Sequence, residues 1–175
     1  RDYRNFLGLA SHEYFHAWHV KRIRPAELAT ASLEREAYTR QLWIFEGITS
    51  YYDDLALLRS GLVNAESYLE LLGRNLTAVY RSAGRRRQTL EEASFDAWIK
   101  FYRPDENAPN SQVSYYAKGA MVALALDLEV RLRTGGRVSL DDIMRVLWDT
   151  HGREGIALQD GAFEGLAAQV AGMDL

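Results

Sequence analysis

A mainly α-helical domain is what this sequence predicts, on three observations. Apolar residues recur at helical spacing through several long stretches. Those stretches open on capping residues, Asn64 and Ser139, and close at glycine or before proline, at Gly61, Gly135-Gly136 and Pro25. No well-patterned run of strands interrupts them. The expectation is about five or six helices with little or no sheet, in a single domain over residues 1–175.

Phe6 to Arg22 reads as the first helix, with apolar surface from Phe6, Leu7, Leu9, Phe15 and Val20, and Pro25 ends it. Arg24 to Thr39 has no clear period and reads as a long loop, of a length often tied to function. Gln41 to Arg59 reads as the second helix. Asn64 caps a third over Ala65 to Ser82, whose broad apolar face, from Tyr68 to Tyr80, reads as core. Thr89 to Tyr102 holds a short helical stretch, and the Pro- and Asn-rich Arg103 to Gln112 reads as loop. Tyr115 to Arg133 is apolar nearly all round, so that helix should be buried on most sides. Ser139 caps a fifth helix, Leu140 to Thr150, whose first turn carries Asp141 and Asp142 to complement the dipole. A last helix covers Gln159 to Ala171.

The balance of 47% apolar and 26% charged residues is that of a folded globular domain. A net charge of −3 gives no broad reason to bind nucleic acid, and the dense basic run Arg85-Arg86-Arg87 reads as a solvated loop. No apolar run approaches the roughly 20 residues that cross a bilayer, so no membrane partner is expected. The chain has no cysteine, which excludes disulfides and thiolate ligands. It opens at Arg1 rather than Met, with the most informative motif close behind. That reads as a piece of a longer protein and leaves the compartment, cytoplasmic or periplasmic, open.

The motif is His12-Glu13-Tyr14-Phe15-His16. On a helix, residues four apart share a face, so His12 and His16 can aim two imidazoles at one point, as zinc requires. Glu13 lies about 100° round the helix, near the metal but poorly placed as a ligand, which suits a general base. On the second helix, Glu46 is a charge among Ile44, Phe45 and Ile48. A desolvated carboxylate needs a partner, and a metal ion is one. Two histidines and a glutamate leave one zinc position for water, the pattern of a catalytic site. Ser50 and Asp53 follow Glu46 on the same face and could accept the outer N–H of a ligating imidazole. Asp53 is favoured because a carboxylate accepts more strongly. The alternative for Asp53 and Asp54 is a solvated helix face. A tyrosine at the head of the Tyr115 helix could donate to a developing oxyanion, with Tyr115 and Tyr116 the candidates.

The stretches HEYFHAWHVKRIRP, LWIFEGITSYYDDL and YYAKGAMVALALDLEVR, with the run Ser139 to Arg145, resemble the catalytic domain of the glycyl aminopeptidase family of zinc metallopeptidases, relatives of thermolysin. The resemblance covers almost the whole chain. It implies the helical catalytic subdomain of a thermolysin-like peptidase, with zinc on His12, His16 and Glu46. It implies Glu13 as the base, and its Y-x-K-G motif selects Tyr116 over Tyr115. It also implies a peptide substrate with a free N-terminus, glycine or alanine preferred, an N-terminal β domain holding the substrate amine, and often a PDZ domain afterwards. A zinc endopeptidase and a non-catalytic binding domain are the alternatives. One departure is His19, where the family pattern carries Asn; it reads as a rim residue. Arg22 and Arg24 read as structural pairing partners, with substrate contact the alternative.

Overall fold

The computed structural model describes residues 2–174. Among the described residues nine α-helical segments follow one another: α1 (Asp2–His16), α2 (Ala26–Ala29), α3 (Ile48–Arg59), α4 (Ala65–Arg81), α5 (Leu90–Phe95), α6 (Ala108–Ser111), α7 (Tyr115–Thr134), α8 (Leu140–Leu147) and α9 (Ala162–Ala171). Among the described residues the only β pairing is two isolated bridges, His19 with Ile23 and Pro25 with Leu158. The mainly α expectation therefore holds, although α2 and α6 are single turns that the periodicity misses. Residues 108–111 were expected to be plain loop.

Three helices run on into or out of π-helical turns, at Trp43–Gly47, Ala97–Phe101 and Trp148–Gly152. Such turns are rare and often mark functional segments. The first leads directly into α3 and carries Glu46. It is anchored where the Trp43 N–H donates to the Ser94 hydroxyl, 3.0 Å away.

The core lies between the Trp43–Arg59 helix, α7, α8 and α9. Ile44, Phe45 and Ile48 meet Ala120, Ala123 and Val130 of α7, and Ile143, Leu147 and Phe163 close the far side. Each large apolar side chain so buried contributes about 1.5–3 kcal/mol. Buried Asp127 ties three of these helices together. It accepts from the Tyr51 hydroxyl (2.7 Å), Arg131 Nε (2.9 Å) and the Leu140 N–H (2.7 Å), the last at the start of α8.

Three expectations need correcting. The first helix stops at His16, not Arg22. Residues 17–23 form successive turns that carry Trp18 and His19 inward and bring Ile23 into the core. α7 is not buried on most sides: its buried residues are Tyr115, Gly119, Ala120, Ala123, Asp127, Val130 and Thr134, whereas Leu128 and Leu132 face outward. α4 is not core. None of its residues is buried, and Leu69, Leu76 and Tyr80 are exposed. Arg85 and Arg86 sit in a short 3₁₀ turn, with the Arg85 guanidinium held over the Tyr80 ring and donating to the Tyr80 carbonyl.

Candidate metal centre

α1 packs along α3, and that contact brings the two halves of the site together. His12 and His16 project from the last turns of α1 toward Glu46. His12 Nε2 lies 3.1 Å and His16 Nε2 3.2 Å from the same oxygen, Glu46 Oε2. One ligating atom from each of the three residues falls within 4.8 Å of the others.

The outer ring nitrogens are also held. His12 Nδ1 is 3.0 Å from Asp53 Oδ2. His16 Nδ1 donates to the main-chain carbonyl of His19 at 2.9 Å. That carbonyl is available because α1 has ended; in a continuing helix it would accept from a backbone N–H one turn on. Ser50 lines the cleft, and neither histidine is among its hydrogen-bond partners in the described residues. The His19 carbonyl was not foreseen, since no side chain signals it.

His12 faces a carboxylate at each nitrogen, an arrangement that favours the doubly protonated ring. Burial opposes that charge, but Asp53 and Glu46 prevail and raise its pKa to about 9. Burial would push the Glu46 carboxyl up, yet the two histidines hold it down at about 2. A pair of half-buried imidazoles facing a half-buried carboxylate is a donor set that a divalent cation satisfies by replacing the inner protons. The fit is good: imidazole nitrogen and carboxylate oxygen are both zinc ligands, and the outer nitrogens are already oriented. Next in the chain, burial and the neighbouring Asp53 push Asp54 up to about 6.

Of the three residues, His12 borders an open cleft of about 470 Å³ whose walls also include Gly8, Leu9, Glu13, Ser50, Asp53 and Tyr116. Glu13 is exposed there, beside His12. The Tyr116 ring centroid is 6.1 Å from that of His12. Tyr115 instead points into the core, 1% exposed. A larger apolar hollow of about 640 Å³, lined by Phe15, Trp18, Tyr52 and Trp148, contains none of these groups, and the chemistry belongs to the smaller cleft.

His19 is not a rim residue. It is fully buried, its ring stacked on Phe45 with centroids 4.8 Å apart, and Nε2 lies 3.3 Å from the Ile44 carbonyl. Burial lowers its pKa to about 4. Arg22 reaches the Gly152 carbonyl at 3.4 Å and lies over the Trp148 ring, and Arg24 donates to the Lys21 carbonyl at 2.9 Å. Tyr102, which no spacing singles out, brings its hydroxyl between those of Tyr115 and Tyr116.

The model of the M61 glycyl aminopeptidase family matches residues 5–122, which includes every residue of the cleft. The chain belongs to that family. It is also similar to the crystal structure of an aminopeptidase N family protein from Idiomarina loihiensis, a structural genomics target, at 47% identity and a TM-score of 0.90. The match covers 93% of this chain and 28% of that one, so the chain spans little more than a quarter of that relative's length. No curated protein sequence gives a significant match. Among the described residues no helix is long and apolar enough to cross a membrane.

Proposed function

We propose that the chain is the catalytic helical domain of a zinc aminopeptidase. The observation that carries this reading is the convergence of His12, His16 and Glu46 within 4.8 Å, with His12 on a cleft that Glu13 and Tyr116 also line. The zinc ligands are His12, His16 and Glu46. Zinc held there supplies a Lewis acid that acidifies water toward a pKa of about 7 and polarises a carbonyl. Glu13 takes the proton of the attacking water and passes it to the leaving amine. The Tyr116 hydroxyl donates to the carbonyl oxygen as negative charge develops on it. Asp53 and the His19 carbonyl hold the two imidazoles in the tautomer that leaves the inner nitrogens free.

The substrate is a peptide with a free N-terminus, glycine or alanine first. The contacts that recognise its amine lie in the rest of the full-length protein, on an N-terminal β domain, with a PDZ-like domain following. Metal analysis of the full-length protein, joined to hydrolysis of matched free-amine and N-acetylated peptides, tests this. Stoichiometric zinc, turnover of free-amine peptides and its loss in Glu13→Gln with zinc retained are expected. Equal cleavage of acetylated peptides would make it an endopeptidase. A metal-free, inactive protein would leave a binding domain.

A further inference from the structure

Three tyrosine hydroxyls meet at the edge of the cleft. Tyr115 is 1% exposed, and its hydroxyl lies 3.4 Å from that of Tyr102, which itself lies 3.3 Å from that of Tyr116. Both separations exceed the common O–H···O distance of about 2.7–2.8 Å. Contacts of this kind tighten when substrate closes a site.

Proton counting gives the chain a direction. A buried hydroxyl must place its proton on an acceptor, and Tyr115 donates to the Tyr102 oxygen. A hydroxyl has one proton and two lone pairs. Tyr102, having accepted from Tyr115, keeps its own proton for Tyr116. Tyr116, having accepted from Tyr102, cannot donate back. Its proton is left for the cleft it shares with His12 and Glu13. Each bond in such a series polarises the next, by roughly 10–30%. The segment bearing Tyr102 is pinned for this: the Phe101 ring packs against Tyr115 at 5.0 Å and Tyr116 at 5.9 Å.

We propose that Tyr102 is a positioning residue whose hydroxyl donates to Tyr116 and turns the Tyr116 proton toward the substrate carbonyl oxygen. This deepens the aminopeptidase reading and rests on it. Tyr102 is 61% exposed, so losing its hydroxyl leaves the core intact.

The test uses the full-length protein. Tyr102→Phe should lower kcat on the order of tenfold, part of the roughly 10²–10³ lost with a whole oxyanion donor. KM should stay within about twofold, because the donor acts in the transition state. Zinc content and Tm should not move. In a Tyr116→Phe background, Tyr102→Phe should cost nothing more, since it acts through Tyr116. An unchanged kcat, or full additivity in the double variant, overturns the proposal. The Tyr116 Cζ resonance in ¹³C-tyrosine protein reads the bond direction without turnover. It moves one way when the oxygen loses a donor and the other when the proton loses an acceptor. Loss of a donor on Tyr102→Phe is expected, and the opposite shift overturns the proposal. A wild-type protein without peptidase activity defeats the aminopeptidase reading, while the resonance still decides the hydroxyl direction.

Discussion

Gly47 and Gly119 meet backbone to backbone. A Cβ added to Gly47 would lie 2.6 Å from the Gly119 Cα, and one added to Gly119 would lie 2.9 Å from the Gly47 Cα. Real Cβ atoms do not approach so closely, so the helix bearing Glu46 and the helix bearing Tyr116 cross this tightly only with glycine on both sides. The glycines after Glu46 and Lys118 thus set the distance between the proposed metal ligand Glu46 and the proposed oxyanion donor Tyr116.

Gly47→Ala should therefore push the two helices apart. Overpacking costs about 1–3 kcal/mol, and a collision with main chain belongs at the upper end. Urea unfolding should show that loss, and zinc content should fall as Glu46 is displaced. Gly73→Ala is the control: a Cβ there meets nothing within 4 Å, and alanine within α4 should stabilise by up to about 1 kcal/mol.

Asp53→Asn keeps the shape of the side chain beside His12 but weakens the acceptor. Zinc affinity should drop roughly 10–100-fold. Competition with a chelator of known affinity measures it. An unchanged affinity would take Asp53 out of the site.

Asp127 is a tie rather than a site residue. Asp127→Ala would leave the Tyr51 hydroxyl, Arg131 Nε and the Leu140 N–H without their acceptor. A loss of about 3 kcal/mol or more is expected in chemical denaturation. Asp127→Asn, which keeps one acceptor, should lose less.

Asp54 gives a pH signature. Its folded pKa of about 6 stands above the ordinary aspartate value of 3.8. The folded state therefore binds more protons between those values, and stability falls as pH rises through that window. Removing the charge in Asp54→Asn should stabilise at pH 7 by about 1 kcal/mol, after allowing for the group's partial exposure to solvent. The gain should shrink steadily as pH is lowered from 6 to 4. A gain independent of pH would mean the carboxylate is not the cause.

The helices that carry the candidate metal ligands were legible because their signals are local. Spacing alone puts His12 over His16, and a lone carboxylate among Ile44, Phe45 and Ile48 asks for a partner. What was not legible depends on distant parts of the chain. The apolar face of α4 is real, but periodicity says only that a face is apolar, not that anything covers it. α7 reads as apolar all round, yet its small residues form the buried stripe and Leu128 and Leu132 do not. His19 looks like a continuation of the His12–His16 helix until the chain turns at residue 17 and drives it inward. Tyr102 is separated from Tyr116 by a loop, and nothing in the loop announces that the two hydroxyls meet.

The two imidazoles are buttressed by different materials, one by an aspartate side chain and the other by a peptide carbonyl. Substitution can rewrite the first and cannot remove the second. Any drift or redesign of metal preference therefore has an entry point beside His12, while the geometry beside His16 is guarded by the path of the chain itself.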